Sequence, residues 1–523
     1  MPLSPDDPAP NPDVTRLWRG VVALVVGAVL LGAAMPVDLE TLPSHDHSAA
    51  GHHDHGPLVG GPATKRSASL ANYFGPSKPD AGPTKGTRCD KGSSPEDVQG
   101  KVPAKDYESG RAAKGYYCNA RLVSHFGSSG GYRVERYVDK TGNECAYWDS
   151  TLLWPHNVPE QPARGPGVYV MDMSDPAKPV HTDTLRTAAM QTPHESLRLN
   201  HKRGLLVAVM GYPTWQPGFI DVYDVTEDCR HPVLQSSIPT GIIGHEGGFA
   251  PDGMTYYAAG LYAHTLTAVD LAEPKAPVLL WATSDYQPHG VSVSNDGKRL
   301  YIAEAAFSDD GSDFSGLTIL DVSEVQKRVP NPSVPIVSRL SWPQVSTPQN
   351  ATPFTLDGHE YLLETDEFGS GKNIGAARIV DISNERKPFV VSNLRLAVNK
   401  GDQTEDPGDD QPFQGYQAHY CSLPSRVDPH MVACSFIMSG LRVFDIQDPK
   451  HPREVAYFNK PVLPGEHPVY PNKAGSFAMA APAYDEATGD IWSSDGNSGF
   501  YVVRLTKASG IGKFAERIVF PGN

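Results

Sequence analysis

Short apolar runs, each followed by a polar turn, recur along the chain from about residue 113 to the C-terminus. Many of them alternate apolar and polar positions, as in HGVSVSNDGKRLYIAE at 289–304, where two such runs flank Asn-Asp-Gly. An Asn/Asp-Gly pair between alternating runs is typical of a β-hairpin, because glycine adopts positive φ without steric cost. The pattern therefore predicts a body built from antiparallel hairpins.

A longer period is superimposed on these hairpins. Six copies of a strand end in Asp and a short polar turn, and the aspartates recur about every 50 residues at Asp172, Asp224, Asp270, Asp321, Asp381 and Asp445. A seventh, divergent copy carries Leu505 at this position. Each copy follows a hairpin, so one unit has four strands, and closing a ring of units removes the exposed sheet edges. We predict an all-β, seven-bladed β-propeller over residues 113–523; the alternative, a β-solenoid, has shorter repeats.

The first 112 residues have a different composition. Arg16 and Arg19 precede an uncharged apolar run at 21–35, which is shorter than the roughly 20 residues of a bilayer span, so residues 1–36 are predicted to be a signal peptide or a signal anchor. Residues 37–112 are poor in aliphatic side chains and predict a disordered tether. We therefore expect an exported protein, extracellular or in the cell envelope, that contacts a membrane only through 1–36 if this segment is not cleaved.

The charge of the chain argues against one class of function, and its cysteine content indicates disulfides. The chain has 45 Lys and Arg against 60 Asp and Glu, a net charge of −15 without a basic run, which argues against nucleic-acid binding. None of the six cysteines forms a C-x-x-C motif, and an oxidising compartment favours disulfides. Cys421 and Cys434 flank a predicted turn at 427–429 symmetrically, which predicts that they pair. We also expect Cys118 to pair with Cys145.

Histidines recur at one position of the repeat. His245 and His289 each stand seven residues before the turn aspartates Asp252 and Asp296, and His194 and His419 align with them on the hairpin. In the unit that follows the one with His289, the aligned residue is Asn350, and in the last unit it is approximately Met479. The inner strand of each blade lines the central channel of a propeller, so these four imidazoles are predicted to meet near one mouth.

Two interpretations of this histidine register remain open. Imidazoles that converge form a site for a transition metal, for which copper or zinc is expected, and nearby carboxylates or amides would orient metal-bound histidines. The candidates for that role are Glu195, Glu246, Glu304, Asn350, Glu364 and Asp366. Asp495 is a further candidate at a second-strand end. The structural alternative is that each histidine bonds the backbone of a neighbouring blade.

Other polar segments predict weaker sites. The tether carries His45, His47, His52, His53 and His55, a tract that is either a soluble spacer or a weak site for Zn²⁺ or Cu²⁺. The acidic loop 309–313 suggests Ca²⁺, but it lacks the spacing of an EF-hand and is expected to be a solvated loop. The acidic insertion 399–414 is expected to be a rim loop. No G-x-S-x-G, Walker or H-E-x-x-H motif is present in the sequence.

Two family resemblances are carried by short segments of the chain. The segments IVDISNERKP and VFDIQDPKHP resemble the LVIVD repeat of bacterial secreted β-propellers, a similarity that covers roughly residues 165–505 and implies a fold but little about activity. The stretch 288–304 is similar to the selenium-binding/methanethiol oxidase family of seven-bladed propellers that use copper. This second similarity implies that His289 and, through the repeat, His194, His245 and His419 are metal ligands.

Three functions follow as hypotheses. The first is a metal-dependent oxidoreductase that acts on a small molecule at the histidine site. The second is a non-catalytic cell-surface propeller that holds a protein or another envelope partner. The third is a copper- or zinc-handling protein in which the histidine tract of the tether supplies metal to the propeller. All three share an exported propeller, and the first and third require a metal.

Overall fold

The computed structural model of the protein describes residues 82–151, 165–211, 218–240, 244–305, 314–342, 345–367, 375–400, 403, 415–459, 462–464 and 474–515. The predicted signal segment 1–36, the tether up to residue 81 with its five histidines, the acidic loop 309–313 and most of the insertion 399–414 lie outside these residues. No helix in the described ranges is long and apolar enough to cross a membrane.

Seven antiparallel sheets of four strands form the blades of a β-propeller, which confirms the predicted fold class. Before the blades come α1 (Ala104–Glu108), β1 (Tyr116–Cys118) and β2 (Ala120–Phe126). Blade 1 contains β3 (Val134–Val138), β4 (Glu144–Asp149), β5 (Val168–Asp172) and β6 (Val180–Leu185). Blade 2 contains β7 (Arg198–Asn200), β8 (Leu205–Val209), β9 (Phe219–Asp224) and β10 (Val233–Pro239).

The next three blades follow in the same order. Blade 3 contains β11 (Glu246–Phe249), β12 (Thr255–Gly260), β13 (Thr265–Asp270) and β14 (Val278–Thr283). Blade 4 contains β15 (Pro288–Val293), β16 (Arg299–Glu304), β17 (Gly316–Asp321) and, after the short helix α2 (Ser323–Gln326), β18 (Ile336–Leu340). Blade 5 contains β19 (Pro348–Leu356), β20 (His359–Asp366), β21 (Ala377–Asp381) and β22 (Phe389–Leu394).

The last two blades close the ring. Blade 6 contains β23 (Ala418–Ser422), β24 (Met431–Phe436), β25 (Gly440–Asp445) and β26 (Arg453–Asn459), and the short pair β27 (Leu463–Pro464) and β28 (Ala474–Gly475) follows it. Blade 7 takes β29 (Ala483–Asp485), β30 (Asp490–Asp495) and β31 (Gly499–Leu505) from the C-terminal part and its outer strand β2 from the N-terminal part. One sheet therefore joins the two ends of the propeller sequence.

Residues 82–118 pack against blade 6, where β1 pairs with β26 as a fifth strand. Glu96 holds both terminal nitrogens of the buried Arg442 at 2.8 and 2.7 Å, and the backbone N–H of Thr84 donates to Arg395. Residues 82–112 are thus packed against the propeller, and the predicted tether boundary at 112 needs correction. The composition of this segment is poor in aliphatic residues, but buried ion pairs, tyrosines and a strand pairing replace the missing apolar contacts.

The repeated aspartate has a local structural reason. At the end of the third strand of blades 1–6, its Oδ1 accepts the backbone N–H two residues later, as Asp172 does from Ser174 at 2.9 Å and Asp445 from Gln447 at 3.0 Å. The same bond forms at Asp224, Asp270, Asp321 and Asp381. An Asx turn of this kind begins the connection to the fourth strand, so the motif specifies the fold and not a ligand site.

Three disulfides are present, which fits an oxidising environment. Cys421 and Cys434 lie opposite each other on β23 and β24 and are bonded, as predicted. The expected pair of Cys118 with Cys145 is wrong: Cys118 bonds Cys89, and Cys145 bonds Cys229. Cys118 lies at the outer edge of blade 6 while Cys145 lies on β4 of blade 1, so the fold places the two cysteines on different sheets.

Candidate metal centre

Two of the four histidines lie in a β-bulge at the start of the inner strand. In β15, Pro288 and Gly290 pair with consecutive residues of β16, so His289 is the extra residue between them. His419 occupies the same bulge between Ala418 and Tyr420 in β23. In blade 5 the bulged residue is Gln349, which corrects the predicted equivalence of Asn350 by one position. A bulge re-aims one side chain relative to the regular alternation of a strand.

The four histidines meet around two buried carboxylates, Glu195 and Glu367. The His419 Nε2 atom lies 3.2 Å from Glu195 Oε1 and 3.5 Å from Glu367 Oε1. The His289 Nε2 atom lies 3.8 Å from Glu195 Oε2 and 3.4 Å from Glu367 Oε2. His245 Nε2 is 3.4 Å from Glu195 Oε2, and His194 Nδ1 is 3.9 Å from Glu195 Oε1.

Neighbouring rings are in contact and close the cluster from the sides. The centroid of the His245 ring lies 4.3 Å from that of His194 and 4.9 Å from that of His289. The Tyr132 ring fills the space between His194, at 4.0 Å, and His419, at 5.4 Å. All four imidazoles are at most 6% exposed. The predicted convergence of these side chains is therefore present in the fold.

Glu195 reaches the cluster because the chain is irregular just before it. Adjacent residues of a regular strand point to opposite faces, so His194 and Glu195 would not share a site there. His194 has φ +51°, in the left-handed region, and this places both side chains at the centre. The Arg133 side chain holds the Glu195 carbonyl through an Nε–H bond of 2.8 Å.

Backbone contacts orient two of the rings. The Nδ1 atom of His289 lies 2.9 Å from the Pro348 carbonyl, and that of His419 lies 2.6 Å from the Met479 carbonyl, each on the next blade. A carbonyl only accepts, so both Nδ1 atoms carry the hydrogen, and Nε2 of the neutral His289 ring presents a lone pair to the carboxylates. The structural interpretation of the register is thus correct for these two histidines, and it leaves Nε2 available for a ligand.

The electrostatics of the cluster favour neutral imidazoles with one exception. Burial lowers the pKa of His194 and His245, and it lowers the pKa of His289 to about 3. Burial acts on His419 in the same direction, but Glu195 and Glu367 outweigh it and raise its pKa to about 9. Although burial opposes its charge, the surrounding histidines hold the pKa of Glu195 well below its usual range, whereas burial raises that of Glu367.

A second polar layer surrounds Glu246. Its Oε1 accepts hydrogen bonds from Arg133 at 2.7 Å, Asn350 at 2.7 Å, Tyr420 at 2.9 Å and Arg198, and its Oε2 accepts the Val291 N–H at 2.5 Å. The Arg133 guanidinium also lies 4.3 Å above the Tyr420 ring. The Tyr420 hydroxyl is 3.5 Å from Glu195 Oε2, so this layer adjoins the histidine cluster.

The remaining predicted residues lie in separate networks. Glu304 accepts from Thr318 in blade 4 and lies 3.5 Å from Arg339. Glu364 and Asp366 both pair with the buried Arg378 of blade 5. Asp495 accepts the Phe477 N–H in blade 7 at 2.7 Å. These carboxylates thus satisfy buried cations, hydroxyls and backbone groups of their own blades.

Sequence reasoning missed Glu367 and Gln349. Glu367 follows directly after β20 and has no counterpart in the repeat, so no pattern marked it. Gln349 shares the histidine bulge, and its buried amide has no hydrogen-bond partner among the described residues. An alignment of the units on the bulge, in place of the hairpin turn, would have found Gln349.

Comparisons with known proteins bear on the fold alone. No protein-family profile matches the chain, and no curated protein sequence is significantly similar to it. It is similar in structure to the β-propeller domain of Cps50 (Swd1) from Myceliophteria thermophila, at 11% identity and a TM-score of 0.46 over 73% of this chain and 98% of that one.

Two further solved structures are similar to the chain at the same level. The periplasmic gluconolactonase PpgL of Pseudomonas aeruginosa matches at 14% identity and a TM-score of 0.41, over 68% of this chain and 96% of that one. The hydrazine synthase of Kuenenia stuttgartiensis matches at 12% identity and a TM-score of 0.45, over 73% and 97%. Likenesses of this degree carry no information about activity.

Proposed function

We propose that this chain is an exported, LVIVD-type β-propeller that binds a transition metal, copper or zinc, through its central histidines and glutamates and, with copper bound, acts as an oxidoreductase on a small molecule. The observation that carries the proposal is the spacing of the donor atoms. Imidazole nitrogens and carboxylate oxygens face each other at 3.2 to 3.9 Å. This spacing is mostly longer than an N–H···O hydrogen bond of roughly 2.7–3.2 Å.

The same spacing fits two ligands of one ion. Zinc–nitrogen and zinc–oxygen bonds of about 2.0–2.2 Å in a tetrahedral arrangement place the donors about 3.4 Å apart. Lone pairs of neutral imidazoles that face carboxylate oxygens repel each other in a buried site unless a cation lies between them. Copper would supply one-electron chemistry and zinc would supply a Lewis acid.

Residence of the ion is favoured over its transfer to another protein. His245, His289, His419 and Glu195 are each at most 3% exposed, which suits a resident ion more than exchangeable cargo. The backbone bonds to the His289 and His419 rings also preorganise ligands as in catalytic metal sites. We therefore propose the enzyme over the metal-handling protein, with the tether histidines as an auxiliary weak site.

Metal analysis tests this proposal. Tag-free full-length protein with the five tether histidines replaced by Ala is loaded with Zn²⁺ or Cu²⁺, dialysed and analysed by mass spectrometry. We expect retained metal in this parent protein, a loss of affinity greater than roughly 100-fold in His289→Ala, and no change in the control His359→Ala, whose exposed ring contacts Asp381 at 2.8 Å. A parent that retains no metal would exclude the proposal.

Activity requires a separate measurement. Oxygen consumption by the copper-loaded parent is recorded with a panel of small organic substrates that includes thiols. We expect turnover that disappears in His289→Ala and persists in His359→Ala. Retained metal without turnover on any substrate would leave a metal-binding propeller and contradict the oxidoreductase.

A second function is favoured by the outer edges of blades 1–3. Exposed apolar residues begin the fourth strands there, with Val180 57%, Val233 59% and Val278 59% exposed. An edge strand has unpaired backbone groups, and exposed apolar side chains beside them offer a surface on which a partner chain can pair. We propose an envelope protein as that partner. If the chain still binds an envelope protein after all four histidines are replaced, but no longer binds it after Val278→Glu, this function would be established independently of the metal.

A further inference from the structure

Gln349 occupies in blade 5 the position that carries histidine in blades 4 and 6. It is the extra residue of the bulge in β19, as His289 is in β15 and His419 is in β23. In each of these blades the residue after the second strand donates its backbone N–H to the carbonyl two residues before the bulged one: Ala305 to Gln287, Glu367 to Thr347 and Ile437 to Gln417. This shared backbone geometry directs the Gln349 side chain toward the centre, between His289 and His419.

The carboxamide of Gln349 is buried without a partner. The residue is 0% exposed, and neither its Nε2 nor its Oε1 atom has a hydrogen-bond partner among the described residues. The adjacent Asn350 is also buried, but its Nδ2 donates to Glu246 at 2.7 Å and its Oδ1 accepts from Thr352 at 2.8 Å. An unpaired amide in the interior costs free energy. Its presence beside the proposed metal ligands therefore indicates that a bound molecule pairs with it.

The chemistry of the carboxamide restricts which molecule this is. Its NH₂ group donates and its oxygen accepts, so a molecule that satisfies both carries a donor next to an acceptor oxygen. A thiol does neither well, because sulfur forms only weak hydrogen bonds. A divalent ion and the carboxylates of Glu195 and Glu367 balance in charge, so an anion would add an uncompensated buried charge. The site therefore favours an uncharged molecule with a hydroxyl next to a carbonyl, which unlike a simple amide is readily oxidised.

We infer that Gln349 determines the specificity of the central site by binding a small α-hydroxy carbonyl compound, with Nε2 donating to the carbonyl oxygen and Oε1 accepting from the hydroxyl. This inference rests on the proposed metal-dependent oxidoreductase and names the class of its substrate. Gln349 contacts this substrate and is not a ligand of the ion.

Calorimetry of the zinc-loaded protein tests the inference, since zinc does not oxidise the molecules used. The tag-free parent, with Ala at the five tether histidines, is titrated with hydroxyacetone and with acetone, which lacks the hydroxyl. The variant Gln349→Met, which removes the amide at similar size, is titrated in the same way. We expect the parent to bind hydroxyacetone at least roughly 10-fold more tightly than acetone and Gln349→Met to bind both equally. Both proteins should retain the same amount of zinc.

The stability of the metal-free protein provides an independent test. Gln349→Met replaces an unpaired buried amide with an apolar side chain, so we expect the midpoint of denaturant unfolding to rise. The control is Gln417→Met, because Gln417 is also buried but its Oε1 accepts the Gly375 N–H at 2.8 Å. This change should lower the midpoint, since it leaves a backbone donor unpaired. A lower midpoint in Gln349→Met as well would show that the protein itself pairs the Gln349 amide, and would overturn the inference.

The binding outcomes separate the inference from the proposed function. A parent that retains no zinc overturns both. A zinc-loaded parent without preference for hydroxyacetone over acetone overturns the inference and leaves the metal-binding proposal in place. A preference that persists unchanged in Gln349→Met has the same consequence, because another group then recognises the hydroxyl.

Discussion

Glu195 and Glu246 occupy the same strand position in neighbouring blades, are bridged in parallel, and each follow a histidine, yet their surroundings are opposite. Glu246 receives five hydrogen bonds, from Arg133, Arg198, Asn350, Tyr420 and the Val291 N–H. Glu195 instead faces imidazole nitrogens at 3.2 to 3.9 Å. Arginines neutralise Glu246, whereas Glu195 is surrounded by the histidines with which we propose it binds a cation. The two His-Glu pairs are identical in sequence, but their carboxylates differ in electrostatic environment because different side chains surround them.

The largest expected effect is on the layer that the protein neutralises itself. Glu246→Gln leaves the buried Arg133 and Arg198 without their counter-charge, and we expect it to lower the free energy of unfolding by about 3–5 kcal/mol. Denaturant unfolding of the metal-free parent and variant measures this change in the free energy of unfolding. The control Glu227→Gln, which breaks the exposed pair with Lys140, should leave the free energy of unfolding almost unchanged because water screens this pair. Equal losses in the two variants would contradict the difference in environment.

The next effect concerns the histidine cluster, for which we propose a bound cation. Free Zn²⁺ at 100 times its dissociation constant should raise the free energy of unfolding by about 2.7 kcal/mol, because the ion binds the folded chain. The measurement compares unfolding with zinc and with a chelator. His289→Ala should lose most of this gain, and His359→Ala should keep it, since its ring lies on the surface with Asp381. An unchanged gain in His289→Ala would place the zinc elsewhere.

The smallest expected effect on the free energy of unfolding has the opposite sign to that of Glu246→Gln. Glu367→Gln replaces a buried carboxylate with a neutral amide whose nitrogen donates to the His289 lone pair, now 3.4 Å from Glu367 Oε2, and whose oxygen still accepts from His419, now 3.5 Å from Glu367 Oε1. We expect the metal-free variant to be more stable than the parent by about 1 kcal/mol, while its stabilisation by zinc decreases. Unfolding with and without zinc measures both quantities. A metal-free variant less stable than its parent would show that Glu367 is already satisfied without metal.

Much of the fold was predictable because it rests on local rules. The aspartates that end the third strands mark Asx turns, and the Asn/Asp-Gly pairs mark hairpins, so the units could be counted from the chain. Cys421 and Cys434 are close in sequence across one hairpin and were predicted. Cys118 and Cys145 were paired wrongly, because their true partners depend on how the N-terminal segment packs on blade 6 and how blade 1 meets blade 2.

The site was predictable in part for the same reason. The four histidines follow the repeat, but the offset between Asn350 and Gln349 comes from a bulge that hairpin spacing does not reveal. Glu367 belongs to no repeated motif, and it reaches His289 and His419 only because blade 5 lies between theirs.

The amino-acid sequence by itself determined the blades, their number and the ring position of the histidines, since these follow from turn chemistry and strand period within a single unit. Only the tertiary structure decided which carboxylate meets arginines and which meets imidazoles. That choice depends on side chains from different blades that converge on one axis, where a buried charge is costly unless it has a partner.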